Sequence, residues 1–156
     1  MTERLEELKK NQACRNLLKH MPSIKMIGIA ESRLYDNFLN DSFEDALSIS
    51  KISCHTNINE IIIWLHNSLE LKTGKEYIFF DENNHKFVQI EILDIVLGME
   101  QLFLHNLIRN RIDGTAKMVG HTYGFCLLDC TNKLLIDVCC DSSDEYNYQI
   151  YLSYFQ

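Results

Sequence analysis

A chain of 156 residues, 46% of them hydrophobic and 24% charged, has the size and composition of one globular domain. The net charge of −7 argues against a nucleic-acid partner, because nucleic-acid binders carry basic surfaces. The longest apolar run, 61–65, is far shorter than the roughly 20 residues that span a bilayer, so no membrane partner is expected. The amino terminus is highly charged and lacks the apolar core of a signal peptide, which predicts a cytoplasmic location.

The first predicted element is an amino-terminal helix. Apolar residues between Leu5 and Met21 recur at three- and four-residue steps, which predicts a helix over 3–20. Pro22 closes this helix, because the residue before a proline avoids helical geometry. The short apolar segment 24–30 that follows has no pattern that fixes its type.

Two further helix starts are predicted before the middle of the chain. Asp41 and Glu44 have the spacing of a capping box and predict a short helix through Ile49. Asn57 repeats this start signal, and the helix after it is apolar around much of its circumference. Gly74 marks the turn that ends the segment.

A hairpin and another helix are predicted next. Residues 75–81 and 86–93 form the two strands of the hairpin, and polar residues alternate with apolar ones in the second strand. Such alternation indicates a sheet with one face in contact with water. Asp94 is the predicted cap of the helix, whose apolar residues keep the 3.6-residue period through Leu107.

A second hairpin is the most strongly patterned stretch of the chain. Two apolar runs flank the polar turn residues 129–133. With its tip at Thr131 and Asn132, the hairpin places Asp137 opposite Cys126 on one face. The other face is apolar and is predicted to be buried; it carries Tyr123, Phe125, Leu127, Leu134, Ile136, Val138 and Cys140.

The last predicted strand, 146–155, has an apolar face formed by its even-numbered residues. N-terminal helices are therefore followed by hairpin, helix, hairpin and strand, which predicts an α+β fold with a largely antiparallel sheet of about five strands. No linker, repeat or low-complexity tract divides the chain, so residues 1–156 are expected to form a single domain.

Six cysteines, at positions 14, 54, 126, 130, 139 and 140, are expected to be thiols in a reducing compartment. Zinc binding by the last four is the alternative. Adjacent Cys139 and Cys140 point to opposite faces of a strand, however, and the spacing lacks a Cys-x2-Cys knuckle. The sequence therefore predicts no bound metal, and without a nucleotide-binding motif it predicts no cofactor.

Three residues could form a catalytic group. Cys14, His121 and Asp137 provide a thiol, an imidazole and a carboxylate, the groups needed for acyl transfer. Their order, with the cysteine on a helix and the other two on strands, resembles that of papain-like and transglutaminase-like enzymes, including some bacterial effector proteases and deamidases. The resemblance implies a cysteine hydrolase or deamidase as the alternative function. Against it, the hairpin register puts His121 and Asp137 on opposite faces, unless a one-residue bulge forms near Gly124. Cys14 also lies on the apolar stripe of its helix.

A cluster of carboxylates precedes and adjoins the tyrosines of the last strand. Its members are Asp141, Asp144, Glu145, Tyr146, Tyr148 and Tyr151. One interpretation is a solvated turn followed by an ordinary strand. The other is a partner-binding surface, because tyrosines are enriched at interfaces and carboxylates attract a basic partner.

A compact acidic protein without a catalytic motif is most simply a binding protein. In size, charge and expected location the chain is similar to bacterial immunity proteins, antitoxin-type inhibitors that bind and neutralise a cognate toxin, often a basic nuclease. The resemblance implies a basic protein partner. A third alternative is a subunit that assembles only with its own copies.

Overall fold

The computed structural model describes residues 2–30, 47–81, 84, 86–105, 123–140, 144 and 146–154. Within these ranges the chain forms three helices and seven strands. In chain order they are α1 (Glu3–Lys19), β1 (Ile24–Ile29), β2 (Leu47–Ser53), α2 (Ile58–Ser68), β3 (Glu76–Asp81), β4 (Lys86–Ile92), α3 (Ile95–Phe103), β5 (Phe125–Asp129), β6 (Leu134–Cys139) and β7 (Asn147–Tyr154).

The seven described strands form one antiparallel sheet in the order β1-β4-β3-β5-β6-β7-β2. The predicted α+β class is confirmed, but the predicted number of strands was too low. The segment 24–30, which the sequence left without a type, becomes β1 because it pairs with β4. The other additional strand is β2, which pairs with β7 at the opposite edge.

The start of β2 corrects the prediction of a helix through Ile49. Leu47 pairs with Leu152, and Ser48 pairs with Tyr151, so these residues are extended rather than helical. Pairing with β7 therefore decides the conformation of residues 47–49, as tertiary context commonly does for short segments. The capping residues of that predicted helix lie outside the described residues.

The register predicted for the second hairpin is confirmed. Phe125 pairs with Val138, and Cys126 pairs with Asp137. At the tip, the Asp129 carboxylate accepts hydrogen bonds from the backbone and side-chain nitrogens of Asn132, at 3.1 and 2.9 Å. These bonds close the turn and fix which residues face each other. Four residues of the predicted apolar face, Phe125, Leu127, Ile136 and Val138, are buried, and the other three are partly buried against the same core.

Helices cover one face of the sheet, here called the helix-bearing face. Its core combines Cys14 and Leu17 of α1, Leu65 of α2 and Met99 of α3 with strand residues such as Phe79. The opposite face carries a smaller buried cluster formed by Ile78, Phe87, Leu128 and Leu135. In β3, β4, β5 and β6, alternate residues therefore enter different clusters, as the two-residue period of a strand requires.

Both helix starts that can be checked have the predicted caps. The Asn57 side chain accepts a hydrogen bond from the Glu60 amide at 3.0 Å, and Asp94 accepts one from the Leu97 amide at 2.9 Å. The third helix ends at Phe103, before the predicted Leu107. Across the described part of the chain, none of the helices combines the length and apolar character that a membrane span needs.

Candidate interaction surface

The pair of strands β2 and β7 forms one end of the sheet and carries the tyrosines that the sequence singled out. Ser53 pairs with Asn147 at one end of this pair, and Leu47 pairs with Leu152 at the other. The ladder extends one step further, because the Cys54 amide donates a hydrogen bond to the Tyr146 carbonyl at 2.8 Å. Residues at both ends of β7 are therefore held beside the edge strand.

Large apolar and aromatic side chains are exposed along this pair. Tyr146 is 72% exposed, Leu47 and Tyr154 are each 71% exposed, and Ile49 is 47% exposed. The pairing register shifts between Ser48 and Ser50, so Ile49 is an extra residue in the edge strand. We call Leu47, Ile49, Tyr146 and Tyr154 the β2–β7 surface.

Asp144 is fixed beside this surface by hydrogen bonds to the start of β7. Its two carboxylate oxygens accept from the side-chain nitrogen of Asn147 at 3.0 and 2.9 Å, and one of them accepts from the Tyr146 amide at 3.3 Å. The carboxylate thus shapes the turn and places a negative charge next to Tyr146. Asp141 and Glu145, the other predicted carboxylates, lie outside the described residues.

The three predicted tyrosines differ in exposure. Tyr146 is exposed and Tyr151 is half-buried, opposite Asp137. Tyr148 is only 3% exposed, and its ring packs edge-to-face on Phe103 at 5.1 Å between centroids. Burial, followed by the neighbouring thiols of Cys54 and Cys140, raises the pKa of Tyr148. Tyr148 is therefore a core residue, and we do not include it in the contact surface.

Cys14, the candidate nucleophile, is buried with 0% exposure. Its Sγ donates a hydrogen bond to Asp81 Oδ2 at 3.0 Å, and the side chain of Asn84 donates to the same oxygen at 2.6 Å. The thiol thus donates a hydrogen bond to a buried carboxylate. A buried thiol of this kind is chemically inert.

Asp137 lies on the other side of the sheet from Cys14. It stands in β6 between Ile136 and Val138, whose side chains enter the helix-bearing face, so its own side chain enters the opposite face. The hairpin shows no register shift that would reverse this orientation. His121 lies outside the described residues. The two members of the candidate triad that can be located are therefore not brought together.

A groove of about 470 Å³ adjoins the β2–β7 surface on the helix-bearing face. Leu134, Ile136 and Leu152 line it from the sheet, Leu69 and Leu71 from the loop after α2, and Tyr154 from the end of β7. Tyr154 therefore belongs both to the exposed surface and to the wall of the groove. The volume lies in the range of small binding pockets.

An ion pair that the sequence did not indicate stands at one end of the groove. Lys75 Nζ lies 2.6 Å from Asp129 Oδ2, and the side chains are 20% and 6% exposed. Burial by itself would raise the pKa of Asp129, but hydrogen bonds from Lys75 and Asn132 hold that pKa below its usual value. The pair joins residues 54 positions apart, so only the fold reveals it.

Within the described ranges, no group of three or more His, Cys, Asp or Glu side chains is arranged to hold a metal ion. Comparison of the chain with protein families, characterised proteins and solved structures found no match.

Proposed function

We propose that this protein binds and neutralises a basic protein partner, in the manner of bacterial immunity proteins that inhibit a cognate toxin. The observation that carries the proposal is the exposure of Leu47, Ile49, Tyr146 and Tyr154 along one edge of the sheet. Leu47 and Tyr154 lie towards one end of the strand pair and Tyr146 lies at the other, so the exposed side chains follow the length of β7. Exposed apolar patches on a folded surface mark contact sites. The proposed contact surface is the β2–β7 surface with the neighbouring Asp144.

The residue types on the β2–β7 surface favour a protein partner over a small molecule. Tyr146 and Tyr154 offer large apolar rings with a hydrogen-bonding end, the combination favoured at protein interfaces. Among the described strands β2 lies at the edge of the sheet, and an edge strand is the place where a partner strand can add to a sheet. The net charge of −7 favours a basic partner and would speed its approach.

The adjoining groove supplies a place for an anchoring side chain. Its lining is mixed, with Leu69 and Leu71 beside the charged Glu70, Lys72 and Lys75, and its volume of about 470 Å³ accommodates a large side chain with a polar end. Interface residues that dominate affinity commonly fill such pockets near the centre of the contact. We therefore expect the partner to insert one large side chain beside Tyr154.

The test begins with capture of a partner on the immobilised protein from a lysate of its native source. A captured protein supports the proposal only if it is basic and if its own activity is lost when equimolar purified protein is added. Binding kinetics are then measured with two double variants. One is Leu47→Ser with Tyr154→Ser on the proposed surface.

The matched control is Val96→Ser with Leu97→Ser on α3, where the side chains are 48% and 49% exposed. The first part of that helix, at Gly98, lies against Ile92 and Ile24, at the end of the sheet far from β2. The surface variant should dissociate faster by roughly 30-fold, equivalent to about 2 kcal/mol, and the control should match wild type. Equal dissociation of the surface variant and wild type would rule out this surface.

A further inference from the structure

Two cysteines far apart in sequence meet beside the start of β7. Cys54 follows the last residue of β2, and Cys140 follows the last residue of β6. Their Sγ atoms are 3.8 Å apart, although 86 positions separate them in the chain. This is close to van der Waals contact between two sulfur atoms. We call them the Cys54–Cys140 pair.

Hydrogen bonds hold both cysteines near the turn that leads into β7. Cys140 Sγ donates to the Asp144 carbonyl at 3.4 Å, and the Cys54 amide donates to the Tyr146 carbonyl at 2.8 Å. Both residues are half-buried, and both pack against the main core. A disulfide needs the sulfur atoms to close from 3.8 Å to about 2.05 Å. Each cysteine follows the last residue of its strand, and a shift of the backbone there supplies that approach.

We propose that the Cys54–Cys140 pair is a thiol-oxidation site that forms an intramolecular disulfide on reaction with a low-molecular-weight disulfide such as oxidised glutathione. The thiolate of Cys140 attacks one sulfur of the reagent, breaks its S–S bond and releases one glutathione thiolate. The thiolate of Cys54 then attacks the Cys140 sulfur of this mixed disulfide and releases the second. The two protein thiols lose two electrons, which reduce the reagent, and their two protons go to the two glutathione molecules released.

The order of attack follows from the environment of each sulfur. Burial first, and then the hydrogen bond and charge of Cys140, raise the pKa of Cys54 to about 12. Cys54 therefore keeps its proton while Cys140 is a free thiol or thiolate. In the mixed disulfide Cys140 carries no charge and no proton, so two of the effects that raise the pKa of Cys54 disappear. Cys140 is thus the attacking thiol and Cys54 the resolving thiol.

The other cysteines are placed differently. Cys14 is buried and bonded to Asp81, and Cys130 is exposed on the turn of the second hairpin. Cys139 is the immediate neighbour of Cys140, but its Sγ lies 3.7 Å from Asp137 Oδ2 on the opposite face of the sheet. It therefore serves as a matched control. A bond between Cys54 and Cys140 would tie the end of edge strand β2 to β6 across β7.

The test treats purified, fully reduced protein with oxidised glutathione and identifies the products by intact mass and peptide mapping after alkylation. Wild type and Cys139→Ser should lose the mass of two hydrogen atoms and yield the peptide linked through Cys54 and Cys140. Cys54→Ser should instead accumulate one glutathione on Cys140, because the resolving thiol is missing. Cys140→Ser should yield no linked peptide.

The linked form should also unfold at a higher temperature than the reduced form. The proposal is overturned if wild type retains both thiols while Cys130 is modified, or if the map shows a different pair. The wild-type peptide map decides the question even if one of the serine variants fails to fold. Because no partner is involved, the outcome is independent of the proposed function.

Discussion

Cys14 Sγ and Asp81 Oδ2 are 3.0 Å apart, and both residues are fully buried. The carboxylate of Asp81 also accepts hydrogen bonds from the amide and the side chain of Asn84, at 3.4 and 2.6 Å. One buried carboxylate therefore fixes the end of the β3–β4 hairpin and anchors α1 to it. This contact gives Cys14 a structural role that does not require reactivity.

The first prediction is that Cys14 reacts with thiol reagents far more slowly than Cys130 in the native protein. Cys130 is exposed, whereas Cys14 is buried and its S–H group donates a hydrogen bond to a carboxylate. Timed labelling with iodoacetamide, followed by peptide mass spectrometry, measures both rates in one sample. Labelling in denaturant is the control, where the two rates should converge. Equal native rates would restore Cys14 as a candidate nucleophile.

The second prediction concerns the face of the second hairpin. Phe125 is 4% exposed and lies in the main core, so Phe125→Ala should lower the free energy of unfolding by about 3–5 kcal/mol. Ile63→Ala is the control, because Ile63 is 59% exposed and should cost little. Urea unfolding of both variants measures the difference. A loss smaller than about 1 kcal/mol for Phe125→Ala would show that its ring does not contribute to the core as described.

The third prediction is a dependence of stability on pH through Asp129. A carboxyl group whose pKa is lower in the folded state adds stability above its unfolded pKa of about 3.9 and loses it as pH falls through the folded pKa. Asp129→Asn should therefore reduce the free energy of unfolding by about 1–3 kcal/mol at neutral pH. Below pH ~4 the deficit should shrink.

Urea unfolding of wild type and Asp129→Asn at pH 7 and at pH ~3 measures this effect. Asp94→Asn is the matched control, because Asn caps a helix as well as Asp and retains an acceptor for the Leu97 amide. A deficit in Asp129→Asn that is the same at both values of pH would show that the charge of Asp129 adds no stability.

The fourth prediction separates encounter from retention at the proposed contact surface. Replacing Asp141, Asp144 and Glu145 with Asn and Gln should slow association with a basic partner and weaken its dependence on salt. Charges at the rim of an interface act by long-range attraction, which is screened over about 8 Å at physiological salt. Surface-immobilised partner at two salt concentrations provides the measurement.

Asp144 also accepts hydrogen bonds from Asn147, so thermal unfolding of this triple variant must be compared with wild type. Tyr146→Ala provides the contrast: it should chiefly speed dissociation, because its exposed ring supplies contact area. Association of the triple variant at the wild-type rate in low salt would show that these carboxylates do not guide the partner.

Local patterns predicted the hairpins and helix caps because each depends on neighbouring residues. The turn at Asp129 and Asn132 fixes the β5–β6 register by hydrogen bonds over three positions, and the cap at Asn57 spans the same distance. Both are visible in a short stretch of sequence. The same holds for the buried face of Phe125, which follows from alternation alone.

Local sequence patterns could not predict contacts between residues that are far apart in the sequence. The contact of Lys75 with Asp129 and that of Cys14 with Asp81 depend on how distant elements pack. The strand identity of Leu47 depends in the same way on β7. Tyr148 illustrates the remaining difficulty: a tyrosine suits both a core and an interface, and only the position of Phe103 against its ring assigns it to the core.

The position of β2 has a consequence for how the chain can fold. Within the described structure its strand partner is β7. The Ser48 hydroxyl donates a hydrogen bond to Gln149 Oε1 at 2.6 Å, and the two residues are 101 positions apart in the sequence. A ribosome releases β2 long before it has made β7, so for much of synthesis β2 lacks this strand partner, although Trp64 of α2 can already donate a hydrogen bond to Ser50. Pairings of such long range form slowly. Until the last strand emerges, the nascent protein depends on dilution or a chaperone to keep β2 from joining other chains.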